Sequence, residues 1–260
     1  MMRWLRLFSA VLLLAGCTTY QHIDVPRTFR SQRIDTGDFV ISAWVKEQNP
    51  SAPVKIYIEG DGGSFDAYGQ PTRDPTPRGI LVRDLAFRDY NPNVVYLARP
   101  CQFNKEGICR QKYWTTARFA PEVIDAMYLA VKQVAKGREI ILIGFSGGGQ
   151  VAGLIAATKP DLYIKKVITL GGNLDHRTWT AYHNVPELSE SLSLTDYLDT
   201  FCAIPQRHYV GQQDTVIPPT LMIKSLKQCY VHATDVFSVV GDASHDKGWE
   251  SIYPAVWATR

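Results

Sequence analysis

Long apolar runs, repeats and cofactor motifs are scarce in this sequence of 260 residues. Beyond residue 16 no segment stays apolar for long enough to cross a membrane, which argues against a transmembrane helix. There is no internal repeat or low-complexity tract, and no phosphate loop, dinucleotide fingerprint or C-x-x-C pair that would mark a nucleotide or metal site. Neither sign of charge is in large excess, because 28 basic residues nearly balance 25 acidic ones. We therefore expect no cofactor, no metal and no nucleic-acid partner.

The N-terminal residues have the proportions of a secretory signal. The cationic segment 1–6 precedes the apolar run 7–14, which is too short to span a bilayer as a stable helix. The run ends in Leu-Ala-Gly followed by Cys17, which resembles the lipobox of bacterial lipoproteins. The resemblance implies that residues 1–16 are removed and that Cys17 carries the lipid, palmitate included. Thr18, where many such proteins have an inner-membrane retention aspartate, favours an outer-membrane anchor facing the periplasm; an ordinary signal peptide with an incidental cysteine is the alternative.

The chain after the signal divides into two parts. Residues 17–36 are polar and have no clear periodicity, so we interpret them as a tether between lipid and domain. Residues 37–260 are long enough to form one α/β domain with a sizeable core.

Four cysteines follow Cys17, an even number that suits disulfide bonds in an oxidising compartment. Cys101 and Cys109 flank a short segment that a disulfide would close into a loop. Cys202 and Cys229 each lie a few residues before a predicted strand, so they share one end of the sheet if those strands are parallel neighbours. We therefore pair 101 with 109 and 202 with 229. A zinc site is the alternative, and no C-x-x-C spacing supports it.

Short apolar segments rich in β-branched residues alternate with longer amphipathic segments throughout the domain. The predicted strands are 39–45, 54–58, 94–98, 140–143, 166–170, 207–211 and 235–240. The predicted helices are 78–87, 121–135, 151–158, 219–228 and 248–259. This alternation predicts an α/β fold with a mostly parallel sheet and helices on both faces. In such sheets, reactive loops lie at the carboxyl ends of the strands.

The strand at 140–143 leads directly into the sequence G-F-S-G-G at residues 144–148, and a predicted helix follows. A serine between a strand and a helix in this pattern is typical of a nucleophile elbow, where a tight turn projects the hydroxyl above the sheet. Glycines suit the flanking positions because a Cβ there would clash with neighbouring backbone. Ser146 is therefore the candidate nucleophile; the alternative is a glycine-rich turn without chemistry.

A serine nucleophile needs a base, and the base needs a third group that orients it. Of the six histidines, His245 lies in a loop just after the last predicted strand and is the candidate base. His176 and His183, in an irregular region, are weaker alternatives.

The acid should come from the end of the preceding strand, where Asp214 follows the strand 207–211. Asp175 is the alternative acid, because it also follows a predicted strand. Asp214 could instead cap the helix that begins near residue 219.

Two backbone donors are needed to stabilise the oxyanion that forms during acyl transfer. The N–H of Gly147, directly after the serine, is the first candidate. The second should come from the glycine-rich loop 59–65, where Asp61 and Gly62 are the candidates. That loop could alternatively be a turn that only leaves space.

With these residues in place, the chain resembles the α/β-hydrolase superfamily from about residue 38 onward. The order Ser146, Asp214, His245 agrees with that family's order of nucleophile, acid and histidine. Residues 59–63 read E-G-D-G-G where many family esterases have His-Gly, so the second oxyanion donor stays open. Over its whole length the chain is most similar to bacterial α/β-hydrolase lipoproteins.

These observations predict a lipid-anchored periplasmic serine hydrolase that cleaves an ester-type bond in a small-molecule or lipid substrate. A thioesterase, peptidase or acyltransferase would use the same residues. A non-catalytic binding or envelope-organising lipoprotein on the same scaffold is the alternative of another class. Residues 173–200 are expected to form a small cap, and the oligomeric state is left open. Candidate aromatic residues for an acyl pocket are Phe65, Tyr68, Tyr113, Trp114, Phe145 and Trp249.

Overall fold

The computed structural model describes residues 23–227, 229 and 236–259. The predicted signal, residues 1–16, and the lipidation site Cys17 lie outside these ranges. Among the described residues, no helix has both the length and the apolar character needed to cross a membrane.

In the described part of the chain, eight strands form one sheet in the order β1-β2-β4-β3-β5-β6-β7-β8. They are β1 (Arg30–Asp35), β2 (Val40–Glu47), β3 (Val54–Ile58), β4 (Asn93–Leu97), β5 (Ile140–Phe145), β6 (Ile164–Leu170), β7 (Gln206–Gly211) and β8 (Phe237–Val240). Strands β3 to β8 are parallel to one another, whereas β1 and β2 form an antiparallel edge. The predicted mostly parallel sheet is confirmed.

Strand β1 corrects the predicted tether. It falls within residues 17–36, yet it pairs with β2 along its whole length. Ile34 is fully buried, and Ile23 and Val25 pack against the core. Because β1 lies at the sheet edge, most of its other side chains face solvent and are polar, which hides the strand in the sequence.

Helices cover both faces of the sheet, as predicted. They are α1 (Leu81–Arg88), α2 (Pro121–Ala135), α3 (Gly147–Thr158), α4 (His176–His183), α5 (Leu198–Phe201), α6 (Pro219–Leu226) and α7 (Tyr253–Ala258). One apolar cluster packs α2, α3 and α6 against the sheet, and a second packs α1 and α7 against the opposite face. Burial of these apolar side chains supplies the main favourable free energy of folding.

The predicted helix 121–135 is confirmed at both ends, but α3 begins at Gly147 rather than at residue 151. Three consecutive glycines open α3 despite their low helix propensity. They are required by close packing, because a Cβ at Gly148 would lie 2.5 Å from the carbonyl oxygen of Ile58. The helix therefore starts directly after Ser146.

Residues 173–200, predicted as a cap, divide into two parts that pack in different places. Helix α4 lies beside the carboxyl edge of the sheet, where the indole N–H of Trp179 donates to the carbonyl of Val216 (2.8 Å). The later part, including a 3₁₀ helix at Leu194–Tyr197, packs against α3 instead. Only the first part of the segment thus borders the sheet edge that carries the candidate site.

Both predicted disulfide pairings are confirmed. Cys101 is bonded to Cys109 and Cys202 to Cys229, with Cα–Cα distances of 5.6 and 5.1 Å. The first closes the loop that follows β4, and the second joins the segment before β7 to the segment after α6.

Candidate active site

Ser146 occupies a strained turn between β5 and α3. Its φ of 51° is positive, which is uncommon for a residue with a side chain, and its N–H donates to Leu170 O (3.1 Å). A Cβ at Gly144 would lie 2.4 Å from the carbonyl oxygen of Gly148, so this turn admits only glycine at that position. The predicted elbow geometry is therefore present in the structure.

The imidazole of His245 lies next to the Ser146 hydroxyl, with 3.0 Å between Nε2 and Oγ. The histidine follows β8, and its carbonyl accepts a hydrogen bond from the Trp249 indole (3.1 Å). Its ring packs against Phe145, with 4.9 Å between the ring centroids. These contacts hold the ring above the end of β5.

Asp214 follows β7 and completes the arrangement. Its Oδ2 lies 2.9 Å from Nδ1 of His245, while Oδ1 accepts hydrogen bonds from the N–H groups of Val216 (2.8 Å) and Ile217 (2.7 Å). The buried carboxylate thus closes the turn after β7 and also contacts the histidine. It does not cap α6, whose N-cap is Pro218.

The alternative acid, Asp175, makes its hydrogen bonds at the start of α4. Its carboxylate caps α4 by accepting hydrogen bonds from the N–H (2.9 Å) and the hydroxyl (2.6 Å) of Thr178. This is the ordinary structural role of an aspartate directly before a helix.

The alternative histidines also have other environments. His176 is buried and stacks on Phe119, and burial lowers its pKa. His183 Nε2 lies 2.8 Å from the carbonyl of Val216. His208, within β7, contacts the side chains of Thr169 and Gln206, and burial lowers its pKa to about 3. His22 and His232 lie outside the described residues.

The loop 59–65 lies against the residue that follows the serine. A Cβ at Gly147 would be only 2.1 Å from Oδ1 of Asp61, so the Asp61 carboxylate lies directly against this glycine. Within the loop, the N–H of Gly60 donates to the Glu59 side chain (3.0 Å) and the N–H of Gly63 donates to a carbonyl (3.0 Å). The N–H groups of Asp61 and Gly62 are therefore the candidate second donors, as the sequence predicts.

Asp61 forms ion pairs with two buried arginines that the sequence analysis did not single out. Its Oδ1 accepts from Nη1 of Arg99, and its Oδ2 accepts from Nη1 of Arg118 (2.5 Å). Arg99 Nη2 also donates to Arg118 O, which ties the two arginines together. Burial by itself would raise the pKa of Asp61, but the guanidinium groups of Arg118 and Arg99 outweigh it and lower that pKa. Arg99 directly follows the predicted strand 94–98, the one signal that could have marked it.

A second carboxyl group, Glu59, is buried directly after β3. Its Oε2 accepts a hydrogen bond from the hydroxyl of Tyr96 (2.7 Å), and its Oε1 accepts the N–H of Gly60. Burial raises the pKa of Glu59, although these hydrogen bonds oppose the shift.

Ser146 and His245 line a cavity of about 440 Å³. Its apolar wall is formed by Phe65, Leu81, Phe145, Trp179, Val216 and Ile217. Of the six aromatic residues predicted to line a pocket, Phe65 and Phe145 do so. The prediction is wrong for the other four, because Tyr68 is 89% exposed while Tyr113, Trp114 and Trp249 are buried in the core.

The arrangement joins a serine hydroxyl, an imidazole and a carboxylate in one chain of hydrogen bonds beside a cavity. A serine hydroxyl in such a chain can lose its proton to the imidazole as it attacks a carbonyl carbon. The cavity has the size of a small-molecule site, and its lining is partly apolar and partly polar.

No protein-family model matches the sequence, and the comparison with curated proteins finds no match. Solved structures do resemble it. Est1E of Butyrivibrio proteoclasticus is 16% identical with a TM-score of 0.60, covering 87% of this chain and 96% of Est1E. An esterase of Pyrococcus furiosus is 16% identical with a TM-score of 0.58, covering 92% of this chain and 94% of the esterase. An α/β serine hydrolase homologue of Coxiella burnetii is 16% identical with a TM-score of 0.56, covering 88% of this chain and 93% of the homologue. Taken with the sheet order, these similarities show that the chain has the α/β-hydrolase fold.

Proposed function

We propose that this protein is a serine hydrolase that cleaves an ester-type acyl bond. The observation that carries the proposal is the continuous contact from Ser146 Oγ to His245 Nε2 (3.0 Å) and from His245 Nδ1 to Asp214 Oδ2 (2.9 Å). The strained turn at Ser146 and the adjoining cavity support it. Among the structural neighbours, one is described as an esterase and another as a serine hydrolase homologue.

In the first half of the reaction, Ser146 Oγ forms a bond to the acyl carbon while its proton passes to Nε2 of His245. The carbonyl electron pair moves onto oxygen, where the N–H of Gly147 and that of Asp61 or Gly62 would stabilise the negative charge. Asp214 stabilises the imidazolium that forms. The C–O bond then breaks, and the departing alcohol takes the proton from His245.

In the second half, a water molecule attacks the acyl-enzyme and gives one proton to His245. Collapse of the second oxyanion breaks the bond to Ser146, whose oxygen recovers that proton. The products are the free carboxylic acid and the original enzyme. Thioesters, amides or transfer to another alcohol would use the same groups, because the three residues do not select the acyl donor.

Labelling with a fluorophosphonate probe tests the proposal directly. Folded wild-type protein should form one covalent adduct, Ser146→Ala should form none, and Ser51→Ala, a change in an exposed loop, should label normally. Equal labelling of wild type and Ser146→Ala, or no adduct at all, would instead favour the non-catalytic binding protein.

A panel of 4-nitrophenyl esters of increasing chain length narrows the substrate. Because the cavity measures about 440 Å³, we expect kcat/KM to be highest for short and medium acyl chains. Turnover of long chains alone would indicate lipid substrates.

We also propose that Cys17 anchors the protein to the outer membrane, facing the periplasm. The lipobox-like sequence before Cys17 supports this. Cells fed an alkyne analogue of palmitate should label the wild-type protein, whereas Cys17→Ser should be unlabelled and released from the membrane fraction. Equal labelling of both would disprove the anchor.

A further inference from the structure

Arg118 lines the same cavity as Ser146, and its side chain is only 6% exposed. Its Nε donates to the carbonyl of Thr115 (2.8 Å), its Nη1 donates to Asp61, and its guanidinium lies 5.4 Å from the ring centroid of Phe65. No described residue accepts a hydrogen bond from Nη2. Arg99 Nε is fully buried without a partner, whereas Arg118 Nη2 is not fully buried.

Two guanidinium groups share the single carboxylate of Asp61. Arg99 and Arg118 both form ion pairs with it, and the neighbouring Glu59 carboxyl also acts electrostatically on Arg99. Both oxygens of Asp61 are engaged, and so are both oxygens of the neighbouring Glu59. Among the described residues, Nη2 of Arg118 is therefore a charged donor of the cavity wall without a partner, whereas the side chain of Asn173, which also lines the cavity without a partner, is neutral.

The other exposed charged residues of the cavity wall do not occupy this donor. Arg78 and Asp246 line the cavity and are both exposed, but neither bonds to Arg118. A largely buried donor without an acceptor is costly, and an anionic ligand would supply that acceptor.

We propose that Arg118 determines specificity by binding an anionic group of the acyl substrate through Nη2. The inference rests on the proposed hydrolase function. Gly147 touches the Asp61 carboxylate, and Arg118 bonds to the other oxygen of that carboxylate, so the guanidinium lies close to the place where the scissile carbonyl would bind. The preferred substrate is therefore an ester with a carboxylate or phosphate a few bonds from its carbonyl.

Two pairs of esters test this and separate the two sources of charge. The first pair is the 4-nitrophenyl monoester of glutarate, with a carboxylate on the acyl side, and its neutral methyl ester. The second pair is 1-butyrylglycerol 3-phosphate, with a phosphate on the alcohol side, and neutral 1-butyrylglycerol. In at least one pair we expect wild-type kcat/KM to be about tenfold higher for the anionic ester, and that pair identifies the source.

Variants assign the preference to one residue. Arg118→Gln should bring the ratio of anionic to neutral kcat/KM close to one, Arg118→Lys should keep part of it, and Arg78→Gln at the mouth should keep most of it. Because Arg118 also holds Asp61, its loss should slow both members of a pair, and the ratio separates recognition from this shared effect.

The outcomes are distinct. Wild-type ratios of one or below in both pairs, or a ratio that Arg118→Gln leaves unchanged, would overturn the inference while the hydrolase function stands. Absence of Ser146-dependent turnover of all four esters would overturn the proposed function and this inference with it.

Discussion

His245 and Asp214 are 31 residues apart in the chain, yet Nδ1 of the histidine lies 2.9 Å from Oδ2 of the aspartate. The other oxygen of Asp214 is fixed by two backbone N–H groups of the following turn. With Nδ1–H directed at this carboxylate, Nε2 is left as the acceptor that faces Ser146. The acid thus sets the tautomer in which the imidazole can act as a base.

Replacing Asp214 by asparagine should remove that control. We expect kcat to fall by about 10³–10⁴-fold in Asp214→Asn, since an amide favours the wrong tautomer. Asp175→Asn is the matched control, and its kcat should stay within about twofold because asparagine caps a helix as well as aspartate does. Steady-state kinetics on a neutral ester measures both. A severe loss in Asp175→Asn beside a nearly silent Asp214→Asn would show that the acid is misassigned.

Gly147 should tolerate no side chain. In Gly147→Ala the new Cβ would lie 2.1 Å from Oδ1 of Asp61, so this carboxylate, which Arg99 and Arg118 hold, must shift beside the candidate oxyanion site. We expect kcat to fall by about 10²-fold or more. Gly241→Ala is the control, because no atom lies within 4 Å of a Cβ there, and it should retain activity. Near wild-type kcat in Gly147→Ala would argue against an oxyanion role for this contact.

His208 should make the fold sensitive to mild acid. Its pKa is lowered to about 3 by burial, from an ordinary value of 6.5. Between these values the unfolded chain binds a proton that the folded protein does not, so the free energy of unfolding falls as the pH falls below 6.5. From pH 7 to pH 5 the loss from this group should be about 2 kcal/mol.

Urea denaturation of wild type and His208→Gln at both pH values measures this loss. The variant should be less stable than wild type at pH 7, because Thr169 and Gln206 lose their partner, but should lose about 2 kcal/mol less on going to pH 5. An identical pH dependence in the two proteins would assign the acid sensitivity to other groups.

The two disulfides should differ in their contribution to stability. The bond between Cys202 and Cys229 spans 27 residues and that between Cys101 and Cys109 spans 8. From the loop entropy of the unfolded chain, we expect paired serine substitutions to cost about 3.5 and about 2.5 kcal/mol respectively. Urea denaturation of the two double variants provides the comparison. A greater loss from the shorter loop would mean that native contacts around residues 101–109 outweigh the entropy term.

Much of the sheet could be predicted because its strands are buried on both faces. Val54–Ile58 and Ile140–Phe145 are almost continuously apolar, and such short runs between helices have few other structures available. The edge strand β1 escaped prediction for the converse reason. Its stability comes from pairing with β2 rather than from burial of its own side chains, and pairing leaves no mark on the sequence of one strand.

Three residues that the structure brings together at the site were also accessible from the sequence, namely Ser146, Asp214 and His245. The local sequence identifies Ser146, because the glycines around it stand where a Cβ would clash with atoms a few ångströms away. No comparable local sequence pattern identifies Arg118. It lies in a loop, and its ion pair with Asp61 joins residues 57 positions apart.

The sequence by itself determined the chain order of strands β2 to β8 and of the helices that cover the sheet, the pairing of the cysteines, and which polar residues follow the carboxyl ends of the strands. These features depend on local composition and on the general geometry of parallel sheets. The tertiary structure alone decided that Asp214 faces His245 while Asp175 caps a helix, and that two arginines share Asp61. Such choices depend on differences of a few ångströms between separate loops, which only the packing of the whole domain sets.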